Sequence, residues 1–174
     1  MKYVLNVEAI NSVLPAVCKE DYDRPYLNGV HIEDVDDKRI YTATNGHFLF
    51  QVTTVRPSYD EKMDKDYIIV FSKPLDKHKI TVDFEPVSDI AALIDEDIAV
   101  RLVNHCYPDV SKVIPKRTTP IARDFALFDP DYLKKVNKFL NIKGWIPQME
   151  NKYSAAVWFD DNKIAVLMPM KEAK

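Results

Sequence analysis

The residues able to do chemistry in this chain are few and scattered. Its four histidines, His31, His47, His78 and His105, stand at no metal-ligand spacing from one another, and no serine sits in a nucleophile-elbow pattern. His105 and Cys106 are adjacent, so on a strand their side chains leave opposite faces and form no nucleophile-base pair. Cys18 and Cys106 show neither a CxxC pair nor zinc-type spacing, which excludes a disulfide framework and leaves two buried thiols as the expectation. Three glycines, Gly29, Gly46 and Gly144, supply no phosphate-cradling loop. No cofactor and no metal site is called for, and the chain reads as a binding module rather than an enzyme.

Three other groups have a chemistry of their own. Asp34, Asp36 and Asp37 read as a solvated hairpin turn, with weak calcium binding as the alternative. Lys134, Lys135 and Lys138 share one face of a helix pattern, either as a solvated face or as a surface that tracks phosphates without reading sequence. Met168-Pro169-Met170 follows an apolar strand, and two flexible thioethers around a proline make an adaptable apolar surface suited to an irregular core or a peptide groove.

The elements that must hold these residues follow from pattern. KYVLNV reads as a strand, and Asn6 caps a helix in which Ile10, Val13, Leu14 and Val17 recur at helical spacing until Pro15 kinks or shortens it. YLNGVHIE, RIYTATNG and FLFQVTTV read as strands joined by DVDDK and by NGH, where Asn45-Gly46 signals a tight turn. RPSYDEKMDKD reads as a surface loop. DYIIVFS, KITVDFE and IAVRLVN are further strands, while IAALIDE fits strand or short helix. A proline-dotted connector, CYPDVSKVIPKRTTP, leads to a strand FALF. Asp129-Pro130 opens a second helix whose buried stripe is Leu133, Val136 and Leu140, with Gly144 as the stop. SAAVWFDDNKIAVLMPM closes the chain as a hairpin. Few helices among hairpin-connected strands give an α+β fold of mostly antiparallel sheets with two helices.

The chain has 174 residues, 47% hydrophobic and 29% charged, enough for one domain or two small ones. Its net charge of -3 confines any nucleic-acid contact to a local patch. No apolar run reaches the roughly 18 residues of a membrane helix. The N-terminus lacks a signal-peptide core, so a cytoplasmic protein with no membrane partner is expected.

Several stretches resemble, in order, the bacterial DNA polymerase III beta subunit, the sliding clamp. YLNGVHIE followed by RIYTATNGHFL is similar to a "YLNG" strand preceding an "ATDGHRL" turn; CYPDVSKVIPK resembles "FPDYRRVLPK"; AVLMPMK resembles "VVMPMRL". The resemblance implies a shortened member with a DNA-clamp-like fold. Residues 1-115 resemble the clamp middle domain with one helix missing, and 116-174 the second half of its C-terminal domain. The alternative is one merged domain with helices at 7-18 and 130-142. It also implies a peptide pocket of Leu27, Thr44, Gly46, His47, Leu49, Pro115, Val166, Met168, Pro169 and Met170, and DNA contacts from Tyr26, Lys134, Lys135 and Lys138. Phe48 stands where clamps usually carry arginine, which implies a different peptide preference.

The implied function is that of a processivity factor. It would bind the clamp-binding peptide of a DNA polymerase or another replication protein, track double-stranded DNA without sequence preference and act as a homo-oligomer. The alternative is a non-encircling clamp-like regulator or adaptor of replication proteins.

Overall fold

The computed structural model describes residues 2–71, 73–76, 79–83, 90–93, 99–114, 126–141 and 147–170. The expectations for His78, Pro115 and Gly144 lie outside these residues. Strand β1 (Lys2–Asn6) runs into helix α1 (Val7–Val13), where the Asn6 side chain accepts from the Ala9 N–H as the expected cap. Pro15 ends the helix as a 3-10 turn over Leu14–Ala16, because its ring and missing N–H forbid another α-helical turn.

Hairpin strands follow: β2 (Val30–Val35), β3 (Lys38–Thr44), β4 (Phe48–Val55) and β5 (Tyr67–Val70). Next come β6 (Lys79–Asp83), β7 (Ile90–Leu93) and β8 (Ala99–Leu102). IAALIDE therefore contributes a strand, not a helix. Helix α2 (Pro130–Leu140) precedes the closing hairpin of β9 (Ala156–Phe159) and β10 (Lys163–Leu167). All strands among the described residues join one antiparallel sheet of ten, ordered β1-β6-β7-β8-β5-β2-β3-β4-β10-β9. The β10–β4 pairing sets residues near the end of the chain beside those near position 50, with Val166 opposite Leu49 and Leu167 opposite Phe48.

Strand alternation divides the sheet's two faces. Tyr41, Ala43, Phe48, Phe50, Val52, Ala165 and Leu167 face the helices and join Ile10, Val13, Val136 and Phe139 in the main core. Leu49, Val157 and Val166 point the other way, into a smaller cluster covered by Val110 and Ile114. Phe50 and Phe139 stack at 4.2 Å, 3° from parallel, which seats α2 on the sheet.

Several expectations are corrected. YLNG is a 3-10 turn (Pro25–Asn28), and the strand begins only at Val30. The described part of FALF is not a strand, although Leu127 accepts the Met170 N–H through its carbonyl at 2.8 Å. The α2 stripe is Val136, Phe139 and Leu140 with Leu133 half-buried, and Asn141 in the left-handed conformation (φ 54°) ends the helix before Gly144. Cys18 is half-buried and Cys106 exposed, so neither is a core thiol.

The acidic turn is also corrected. Asp36 and Asp37 are exposed, but the Asp34 side chain is fully buried, because it shares the inward phase of Val30 and Ile32. Arg39 donates to Asp34 through Nε and Nη2 at 2.8 Å each, and through Nη1 to Asp60 and the Val4 carbonyl at 2.6 Å each. Asp60 in turn accepts the Val4 N–H at 3.1 Å, and Tyr41 Oη accepts the Asn6 N–H at 2.9 Å. These contacts close the edge of β1 that β6 leaves open. RPSYDEKMDKD is thus more than a surface loop: Asp60 and Met63 are buried, and the Met63 N–H donates to Asp34. Among the described residues no group of three or more His, Cys, Asp or Glu is arranged to hold a metal.

Candidate peptide cleft and helix face

The turn between β3 and β4 forms the lip of a cleft of about 210 Å³. Asn45 accepts the N–H groups of His47 and Phe48 through Oδ1 at 3.0 and 3.1 Å. Thr44 Oγ1 donates to the Phe48 carbonyl at 2.7 Å and accepts the Gly46 N–H at 3.1 Å. Gly46 holds φ at 87°, a conformation that only glycine adopts without strain. Beyond the end of β10 the Met168 N–H donates to the His47 carbonyl at 2.9 Å, which locks the Met-Pro segment against this turn.

The floor is Leu49 and Val166, each 3% exposed and opposite one another in register. One wall is the 3-10 turn Pro25–Asn28 with its buried Leu27. The other is a second 3-10 turn, Val110–Lys112, capped by Asp109, which accepts the Ser111 N–H at 3.1 Å. Val110 and Val113 line that wall, and Met168, 44% exposed, stands at the mouth. The rim carries both signs. Arg24 is paired with Asp21 at 2.8 Å. Asp109 is held below the ordinary carboxylate range by its Ser111 hydrogen bond. Apolar walls, a thioether mouth and a few polar rim groups suit a short peptide with one or two apolar side chains.

Of the sequence-predicted pocket residues, Leu27, Thr44, Gly46, His47, Leu49, Val166 and Met168 come together here. Pro169 and Met170 follow the mouth without lining it; Met170 is 54% exposed. Sequence reasoning missed Arg24, Pro108, Asp109, Val110 and Val113, and named Phe48 only as a departure from the clamp pattern. The i, i+3 spacing of Val110 and Val113 behind a capping aspartate was the available signal for the second wall.

Tyr26 lines this same cleft and meets Tyr107 edge-on at 6.4 Å, so it does not stand with the lysines. Lys134, Lys135 and Lys138 are exposed on α2. Lys135 and Lys138 border a groove of about 750 Å³ between the helices, with Lys163 beside them and Glu8 and Asp76 across it. The Lys135 ammonium lies 5.1 Å from the Phe48 ring centre and 5.5 Å from that of Tyr132. His47 stacks on Tyr132 at 5.9 Å. The turn that shapes the cleft is therefore also the seat of the lysine helix.

No family model matches the chain, and a search of curated proteins finds no match. Solved structures do match. The DNA polymerase III beta subunit of Thermotoga maritima shares 15% identity at a TM-score of 0.72, over 99% of this chain and 66% of that one. That of Pseudomonas aeruginosa gives 15% and 0.72 over 98% of this chain and 66% of its own. A sliding clamp from Bartonella birtlesii bound to griselimycin gives 14% and 0.70, again over 98% and 66%. The fold is that of the bacterial sliding clamps, and the chain spans 66% of the length of these structures. No described helix is long and apolar enough to cross a membrane.

Proposed function

We propose that the chain is a non-enzymatic, clamp-like processivity factor that takes a short peptide of a DNA polymerase or other replication protein into the cleft and tracks double-stranded DNA with α2. The observation that carries the reading is the cleft itself. Segments around residues 27, 44–49 and 166–168, chosen for their resemblance to clamp motifs, converge on one apolar recess in a chain of clamp fold. Residues 116–174 supply its mouth and half of its floor, and 1–115 the other half and the walls, which favours the merged-domain organisation. A ring would require several copies of the chain, so a homo-oligomer belongs to this reading.

Calorimetry with a clamp-binding peptide tests it. Met168→Glu places a carboxylate at a half-open apolar mouth, and an affinity loss of about a hundredfold with an unchanged unfolding midpoint is expected. Undiminished affinity would dismiss the cleft. Leu49 is unsuitable for the same change, because burying a charge at the floor would break the fold.

One observation favours the second reading, a clamp-like adaptor that does not encircle DNA. Lys135 is engaged over Phe48 and Tyr132, and Lys163 donates to the Phe139 carbonyl at 3.2 Å, so part of the positive face serves the fold itself. DNA titration of a lysine variant separates the two.

A further inference from the structure

On the sheet face away from the helices, past the ridge Pro108–Val110 that walls the cleft, lies a second recess of about 610 Å³. Its charged rim is one-signed: Glu33, Asp66 and Asp109 line it, and no lysine or arginine does among the described residues. Lys112, 80% exposed, touches Asp109 from outside at 3.4 Å. The Glu33 side chain makes no hydrogen bond or ion pair among the described residues, while Asp66 accepts from His31 Nε2 at 2.8 Å. A carboxylate oxygen only accepts, so Nε2 carries the proton of that bond.

The buried groups beneath this rim point to a ligand independently of its charge. His31 is 6% exposed and lies flat on Tyr107, 4.3 Å between ring centres and 5° from parallel. Tyr107 is equally buried, and burial pushes its phenol well above the ordinary value, so it remains a neutral hydroxyl. Both residues line the recess, and neither His31 Nδ1 nor Tyr107 Oη has a hydrogen-bond partner among the described residues. Buried polar atoms of a folded protein are nearly always satisfied, so two unsatisfied side chains beside one cavity call for a polar partner from outside. A metal ion is disfavoured, because no three ligating groups cluster among the described residues. A longer organic cation fits: its nitrogens reach separated acceptors while Ile40, Ile114 and Ile164 cover its alkyl stem.

We propose that this recess is a subsite for a basic side chain, lysine or arginine, carried by the same peptide whose apolar residues fill the cleft. The two sites share Pro108, Asp109 and Val110, so one extended segment crossing the ridge occupies both. The inference rests on the peptide reading proposed above.

The test separates the two. Agmatine, an alkyl guanidinium, is titrated into the full chain while backbone amide NMR shifts are followed; displacement of Glu33, Asp66 and Ser111 is expected. The double variant Glu33→Gln, Asp66→Asn should weaken agmatine about tenfold or more, whereas Met168→Glu should leave it unchanged. Two peptides bearing leucine and phenylalanine anchors, identical but for a distal arginine or its neutral isostere citrulline, are then compared by calorimetry. The arginine peptide should bind about tenfold tighter to the parent and equally to the double variant. Agmatine shifts that persist in the double variant, or equal affinity of the two peptides for the parent, overturn the proposal. If neither peptide binds while agmatine still does, the cleft reading fails and the cationic subsite stands.

Discussion

Removing Arg39 tests how the sheet is closed at β1. The side chains of Arg39, Asp34 and Asp60 are 1%, 0% and 2% exposed, so Arg39→Ala strands two carboxylates in the interior and frees the Val4 carbonyl. Taking one partner from a buried ion pair costs about 3–5 kcal/mol, out of a total stability of about 5–15 kcal/mol. At a urea slope of about 2 kcal/mol/M, the unfolding midpoint should fall by roughly 2 M. The fluorescence of buried Trp158 offers a readout. Arg39→Lys keeps the charge and loses the two-pronged contact with Asp34, so an intermediate loss is expected.

The pH dependence adds a second arm. Burial pushes Asp34 upward, but the hydrogen bonds from Arg39 and Met63 outweigh it and hold the carboxyl below its ordinary 3.8. A depressed native pKa contributes stability that is complete above the unfolded value and lost as pH falls through the native one. In Arg39→Ala the same buried carboxylate keeps only the Met63 N–H and Arg56 at 3.9 Å and its pKa rises, so acid relieves the variant. The gap between parent and variant should therefore be widest near pH 7 and narrow toward about pH 4. A midpoint displaced by less than about 0.5 M, or a gap indifferent to pH, would refute the assignment of Arg39 as the closing residue.

Three further outcomes are expected. Changing Lys134, Lys135 and Lys138 together to glutamate should abolish salt-sensitive DNA association, whose log–log slope in the parent should approach about -0.9 per phosphate neutralised; equal binding across a salt series would leave those lysines as solvated surface. Gly46→Ala forces a side chain to φ 87° and brings its Cβ to 3.3 Å from Arg24 Nη1. A loss of about 1 kcal/mol in chemical unfolding and weaker peptide binding should follow, and unchanged values in both assays would contradict the role of the turn. Light scattering should give a mass that is a multiple of the chain's own, whereas a strict monomer would remove the ring.

Where the sequence was informative, the cause was local. Asn6 and Asp129 cap helices because a short acceptor precedes a free helical N–H, and Asn45-Gly46 turns because glycine alone tolerates the required φ. Asp34 misled because acidic residues in a row resemble a solvated turn. Its phase with Val30 and Ile32 was the better guide, and its partners lie at positions 39 and 60, where no local pattern joins them. Phe139 escaped notice because the stripe had been phased on Leu133, whereas Phe50 on the sheet decides which residue is covered. FALF has a strand's composition, but its described residues find no neighbour to pair with among the described residues beyond the single Met170 contact. The cleft came from motif resemblance; periodicity alone would have buried its residues as core.

The cleft and the lysine helix are two readings of one alternation. Within Phe48-Leu49-Phe50, the middle side chain turns down to floor the cleft while its neighbours turn up under α2. The period of two in a strand makes this unavoidable, so a one-residue shift of the β3–β4 register would carry Leu49 out of the cleft and the phenylalanines away from the helix together. The hydrogen bonds of Thr44 and Asn45 and the Met168–His47 contact guard that register from both ends of the turn. Tyr132 and Lys135 then clamp its upper side through His47 and Phe48. The hairpin that floors the cleft with Leu49 is therefore the same one that seats the lysine helix through Phe48, so a change that disturbs it should alter both surfaces together.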